Sequence, residues 1–220
     1  MRIENINKNS IFKKLLFILS IFSALLFVAL LPGVHPYRFS YLLKLVPLLC
    51  LGTLVALEVK GTRRFLIFLA LIFCMIGDVL LDLDRSRNFQ LALVTFLTGH
   101  VFYIIIFLMN SKFDKKQLPY LVAIVLYTII VGYFLKDISQ DFLIPVMAYL
   151  AVISIMTISA FLMKDYSWYI RIGALVFMFS DTVIAINKFL TPIPYSTVFN
   201  IGLYFTAQIL IITGLIRTKR

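Results

Sequence analysis

Apolar runs of about 20 residues, the length that crosses a ~30 Å hydrocarbon layer, recur from one end of this 220-residue chain to the other. We draw eight: 15–31, 41–57, 65–83, 89–109, 118–135, 142–163, 172–190 and 198–216. A chain in lipid must satisfy its backbone internally, and segments of this length do so as helices. Turn signals separate them: Pro32-Gly33, Lys60-Gly61-Thr62, Arg85-Ser86-Arg87-Asn88 and Thr191-Pro192-Ile193-Pro194. The runs leave no room for a separate soluble domain, so the expectation is an all-α membrane protein with one transmembrane domain over residues 1–220. Composition agrees. The chain is 62% hydrophobic and 14% charged, whereas soluble domains carry about 25% charged residues. The basic N-terminus followed by 15–31 resembles a signal peptide, but the run is long and no small-x-small cleavage site precedes Pro32, so it reads as an uncleaved first helix.

The formal net charge of +11 does not point to nucleic acid, because Lys and Arg are scattered through short connections without a basic face. They read as topology signals. With the N-terminus inside, 15 of the 21 Lys and Arg fall on inside segments, among them Arg2, Lys8, Lys60, Arg171, Lys219 and Arg220. The outside ends hold Arg38, Lys44, Arg85, Arg87, Lys136 and Lys188. The positive-inside rule then places both termini in the cytoplasm, which requires an even number of spans and a multi-pass protein of the cell (inner) membrane. Cys50 and Cys74 both fall inside apolar runs and read as small core residues.

The two halves resemble one another faintly. Leu45-Val46-Pro47-Leu48 pairs with Leu143-Ile144-Pro145-Val146, Gly77-Asp78 with Ser180-Asp181, and Phe96-Leu97-Thr98-Gly99-His100 with Tyr204-Phe205-Thr206-Ala207-Gln208. Four helices per half would make a parallel 4+4 repeat about an axis along the membrane normal, with Asp78 and Asp181 as symmetry mates.

A charge in the middle of a membrane helix costs at least ~2.5–3.5 kcal/mol and usually marks function. Asp78 and Asp181 lie roughly 20 Å and 15 Å along their spans by helical rise. Either would also serve as hydrogen-bond glue between helices. Asp82 is one turn above Asp78, and Asp84 closes the span beside Arg85 and Arg87. His100 is roughly 17 Å deep by the same rise, with Tyr103 nearly one turn on. A buried histidine is more often bonded to a neighbour than catalytic. Gln208, with Tyr204 one turn before it, suits orienting a partner or a water. Lys44 is placed to snorkel to the interface, to bind a lipid phosphate or to pair with a carboxylate. Asn187 and Lys188 fall at the mouth of whatever cavity Asp181 faces.

No phosphate loop, serine elbow or zinc-helix motif is present, and one buried histidine is too few for a typical membrane metal site. A carboxylate pair with a His and a Gln suits acid–base hydrolysis of a lipid or proton-coupled transport. Gly77-Asp78-Val79-Leu80-Leu81, Gly99-His100-Val101-Phe102-Tyr103, Gly173-Ala174-Leu175-Val176-Phe177 with Ser180-Asp181, and Tyr204-Phe205-Thr206-Ala207-Gln208-Ile209 together resemble the lysoplasmalogenase (YhhN-like) family of membrane alkenyl ether hydrolases. Lys44 also resembles that family's Lys-Pro in the second helix, although here two residues intervene before Pro47. The resemblance implies an eight-helix enzyme that cleaves the 1-alkenyl ether of lysoplasmalogens to a fatty aldehyde and a glycerophospho-ethanolamine or -choline. Asp78 and Asp181 would be its catalytic pair. It implies a lysophospholipid and water as substrates, membrane lipids as surroundings, and no cofactor. Vinyl ether hydrolysis needs an acid able to protonate carbon, a carboxylate to steady the cation and a base for water, and two carboxyls in one apolar cavity can divide those roles. The alternatives are a transporter or lipid-binding protein, and a hydrolase of another ether lysolipid.

Overall fold

The computed structural model describes residues 2–34, 39–164 and 168–218, without the side chains of 2–9, 33 and 34. Of the basic residues weighed above, Arg38, Lys219 and Arg220 lie outside the described residues, as do the side chains of Arg2 and Lys8. Eight α-helices follow in order: α1 Arg2–Val34, α2 Ser40–Glu58, α3 Gly61–Leu83, α4 Phe89–Leu108, α5 Leu118–Leu135, α6 Gln140–Leu162, α7 Trp168–Phe189 and α8 Ser196–Arg217. All eight are long and apolar enough to cross a membrane. From α2 to α8 the ends lie within four residues of those drawn from sequence. The first helix departs furthest. It starts at Arg2, and Pro32, read from sequence as a turn, lies inside its last stretch, where a membrane helix tolerates the lost donor.

Apolar side chains cover much of the outer surface, with Phe22 and Leu25 on α1 and Ile129, Ile130 and Phe134 on α5 all more than half exposed. In water such a surface would drive aggregation; against acyl chains it is the expected one. Helices pack in the order α1, α2, α3, α4, α6, α7, α8, and α8 returns to α1 and α2. α5 stands outside this ring, on α6 and lightly on α7.

Two of these contacts are close because small residues allow it. On α3, a Cβ at Gly77 would meet the Phe96 ring of α4 at 2.6 Å. On α8, a Cβ at Gly214 would lie 2.5 Å from Ile170 Cγ1 and 3.0 Å from its backbone nitrogen on α7. Each aspartate-bearing helix is thus clamped to the helix that follows it. At one end of the bundle, Arg63 donates from its guanidinium to the carbonyls of Leu215 (2.8 Å) and Thr218 (3.1 Å), satisfying the C-terminal end of α8. At the same end of the chain path, Ser111 and Met163 form an isolated antiparallel bridge between the α4–α5 and α6–α7 connections.

Candidate active site

The ring of helices surrounds a partly open cavity lined from α2 through α8. Its walls are mainly Phe, Leu, Val, Ile, Ala and Met, and its polar lining includes Lys44, Asp78, Tyr149, Asp181, Asn200 and Tyr204. Arg85, Phe89 and Phe189 line it where α3 and α7 end and α4 begins, which is the mouth.

The two aspartates singled out from sequence face this one cavity. Asp78 is 2% exposed. Lys44, equally buried on α2, places Nζ 3.1 Å from Asp78 Oδ1 and 3.4 Å from its backbone carbonyl. The Tyr204 hydroxyl donates to Asp78 Oδ2 at 2.6 Å. Of the three fates open to Lys44, pairing with a carboxylate is the one it takes. Asp181 has a different setting. The Tyr149 hydroxyl donates to its Oδ2 at 2.6 Å, and no cation pairs with it among the described residues. Asp78 therefore carries a matched counter-charge, and Asp181 carries a neutral donor.

Tyr149 went unnoticed in the sequence. One signal pointed to it: it lies four residues after Pro145 in a membrane helix, and a phenol at that depth needs a partner. Ser180, the small residue before Asp181, fixes α7 to α8. Its hydroxyl donates to the Asn200 carbonyl at 3.0 Å, and the Asn200 amide returns bonds to the Ser180 carbonyl and hydroxyl.

The remaining candidates fall around the pair rather than on it. Asp82 accepts a short hydrogen bond from the Ser40 hydroxyl at the start of α2. Asp84 is exposed and accepts from the Ser86 and Arg87 backbone amides and the Ser86 hydroxyl, a turn-forming arrangement. Those donors hold its carboxyl below the usual carboxylate range, the Arg87 amide foremost. Tyr103 donates to Gln208 Oε1 at 2.7 Å, joining α4 to α8 behind the cavity wall. His100, fully buried, does not line the cavity. Its ring packs edge-on against Phe177 (4.6 Å) and Tyr149 (5.4 Å), and neither nitrogen has a hydrogen-bond partner among the described residues. The commoner fate of a core histidine, a bond to a neighbour, is thus not what the fold gives it. Asn187 is also not part of the cavity lining: its side-chain oxygen accepts the Ile193 amide at 2.9 Å and staples the α7–α8 turn. Cys50 and Cys74 are buried free thiols. No group of three or more metal-ligating side chains occurs among the described residues.

Comparison with known proteins gives the architecture its relatives. Human lysoplasmalogenase TMEM86A is 30% identical over 213 residues, covering 88% of this chain and 85% of that protein. Bovine lysoplasmalogenase TMEM86A is 27% identical over 212 residues with the same coverage. Mouse lysoplasmalogenase TMEM86B is 28% identical over 196 residues, covering 88% and 83%. No solved structure matches. The sequence pattern of the YhhN family matches residues 39–215, a span from the start of α2 nearly to the end of α8 that contains Lys44, Asp78, Tyr149, Asp181 and Tyr204. This chain is a multi-pass membrane protein that belongs to the YhhN family.

Proposed function

We propose that this protein is a lysoplasmalogenase, hydrolysing the 1-alkenyl ether of a lysophospholipid to a fatty aldehyde and a glycerophosphoester, and that Asp181 is its acid and Asp78 its carboxylate base. The observation that carries the assignment is the unequal pairing of the two aspartates. Lys44 balances an ionised Asp78, whereas an ionised Asp181 would stand in an apolar cavity without a counter-charge. In the proposed cycle, Asp181 transfers its proton to the β-carbon of the vinyl ether, and the C=C electron pair forms the new C–H bond. The resulting oxocarbenium ion is steadied by the Asp78 carboxylate. Water adds to the α-carbon and gives a proton to Asp78. The hemiacetal then collapses: its hydroxyl proton returns to Asp181, the bond to the glycerol oxygen breaks, and that oxygen takes the proton from Asp78. The sum is one ether and one water in, one aldehyde and one alcohol out, with both carboxyls restored.

Tyr204 fixes the ionised Asp78 by a charge-assisted hydrogen bond, and Tyr149 fixes the neutral Asp181 by an ordinary one. Gln208 and His100 support the wall on which Tyr204 and Tyr149 stand. The mainly apolar walls suit the alkenyl chain. The relatives' names and the family match support the substrate class, and the chain serves as one transmembrane domain. The Lys/Arg distribution supports cytoplasmic termini in a cell membrane, which turns the mouth outward.

The test is aldehyde release from a 1-alkenyl lysophospholipid by purified protein in detergent, with Asp78→Asn and Asp181→Asn alongside. Asp181→Asn should fold and lose turnover, and Asp78→Asn, which leaves the buried Lys44 without its counter-charge, should lose turnover and melt lower. No aldehyde from the wild type, or near-wild-type turnover in Asp181→Asn, would overturn the assignment.

A further inference from the structure

Lys188, at the end of α7, rests its ammonium on a group of three phenylalanines. Nζ is 4.3 Å from the Phe89 ring centroid, 5.5 Å from Phe142 and 5.8 Å from Phe189. The rings form a closed trio, with centroids 6.1, 5.9 and 5.4 Å apart. Phe89 and Phe189 also line the catalytic cavity, beside Arg85. Three aromatic faces around one cation is the arrangement that elsewhere receives a quaternary ammonium ligand. Here the chain's own lysine fills it.

The position of the two bases is equally specific. Arg85 follows Asp78 by seven residues, and Lys188 follows Asp181 by seven. For Lys188, still within α7, seven residues are nearly two turns, roughly 10 Å of rise, which returns its side chain to the face that carries Asp181. Arg85 lies two residues past the end of α3, and Lys188 is in the last turn of α7. Lys188 therefore stands above Asp181 against two cavity-lining rings, Phe89 and Phe189, and Arg85 lines the cavity beyond the end of the Asp78 helix, at the scale of the glycerol arm that separates an sn-1 ether from its phosphate.

We infer that Arg85 and Lys188 form a phosphate-binding rim for the head group, and that Lys188, by occupying the phenylalanine trio, selects the anion and turns away a trimethylammonium. This rests on the lipid substrate proposed above and adds an order of preference: a phosphomonoester head first, phosphoethanolamine next, phosphocholine last. Phe89, Phe142 and Phe189 hold the ammonium at the rim, where it meets phosphate oxygens as a point charge.

The experiment is equilibrium displacement of a fluorescent lysolipid from the purified protein by non-hydrolysable 1-O-alkyl lysolipids carrying the three head groups, with hydrolysis of the 1-alkenyl series measured in parallel. Wild type should follow the stated order. Lys188→Met should weaken the phosphomonoester about tenfold and tighten phosphocholine about threefold, because the trio is vacated. Lys188→Arg should keep the wild-type order, which separates the effect from any loss of folding, and both variants are checked by thermal melt. An equal change for every head group in Lys188→Met, or none, overturns the inference. Displacement by inorganic phosphate as strong as by the lipid monoester would mark a soluble-anion site and overturn the head-group assignment. Intact head-group order with no aldehyde from any vinyl ether would sink the catalytic proposal and leave the rim standing.

Discussion

The Tyr204 hydroxyl lies 2.6 Å from Asp78 Oδ2, and this one contact spans 126 residues of sequence to join α8 to α3. It complements the Lys44 ion pair on the other carboxylate oxygen, so both oxygens of Asp78 have fixed partners. Asp181 has one such partner, Tyr149. Removing each phenol alone should expose what each contributes. A hydrogen bond to a charged group contributes about 1.5–3 kcal/mol. Tyr204→Phe, whose partner is the ionised Asp78, should lower turnover roughly 10–100-fold on that scale, and Tyr149→Phe, whose partner is the protonated Asp181, about 2–10-fold, with melting shifted by only a few degrees in both. Unchanged turnover in Tyr149→Phe would remove that residue from the site.

Lys44 tests the ion pair directly. Breaking a buried pair by deleting one partner costs about 3–5 kcal/mol, while replacing both is far milder. Lys44→Met should therefore fold poorly, and Lys44→Met with Asp78→Asn should recover most of the lost thermal stability while remaining inactive. Equal melting temperatures for the single and double variants would show that the two charges are not coupled.

Glycine spacing gives a prediction about assembly rather than chemistry. Gly214→Ala would drive a methyl against the Ile170 backbone nitrogen, which cannot rotate away, and overpacking of that kind costs about 1–3 kcal/mol. Gly202, on the same helix, has nothing within 4 Å of its added Cβ. Gly202→Ala should melt like wild type, and Gly214→Ala several degrees lower. The reverse order would mean that α7 and α8 do not meet where described.

His100→Phe should leave melting unchanged or raise it, because no hydrogen bond is lost and two unpartnered buried nitrogens are removed. Turnover should stay within about threefold, the scale of a change outside the reacting groups. A hundredfold loss of turnover at unchanged stability would place the imidazole in the reaction.

The Asp84 turn supplies the pH prediction. Its carboxyl is held below the usual range in the folded protein by the Arg87 amide first and the Ser86 hydroxyl next. A depressed folded value means that the turn's stabilisation is complete above the carboxyl's unfolded value and is lost as pH falls through the folded one. The Arg87 amide should lose its protection from hydrogen exchange, approaching its intrinsic rate, only in acid, and Asp84→Ala should show that loss at every pH.

The helices were legible in the sequence because lipid imposes one rule, length of apolar run, that needs no knowledge of tertiary contacts. α3 shows this: Phe65 to Leu83 read as a span, and the helix runs Gly61–Leu83. Asp78 and Asp181 were legible for the same reason, as residues that the rule forbids. What stayed hidden were neutral partners. Tyr149 looks like any aromatic in a membrane helix until α6 is seen beside α7. Asn187 looked like a mouth residue because its depth is right, but its side chain turns back to the Ile193 amide, a choice made by the α7–α8 turn rather than by depth. Pro32 read as a break and lies in a helix, because the apolar run around it outweighs one missing donor.

The cavity lining combines apolar walls, the two carboxyls and Arg85, with Lys188 resting on its lining rings Phe89 and Phe189. For a substrate cut at the carboxyls, that contrast acts on the fragments separately. The aldehyde is left among side chains no more polar than lipid, and partitions into the bilayer. The glycerophosphoester is left beside the exposed Arg85 and partitions into water. Once the bond is cut, the fragments belong to different phases, and their separation pulls the reaction forward.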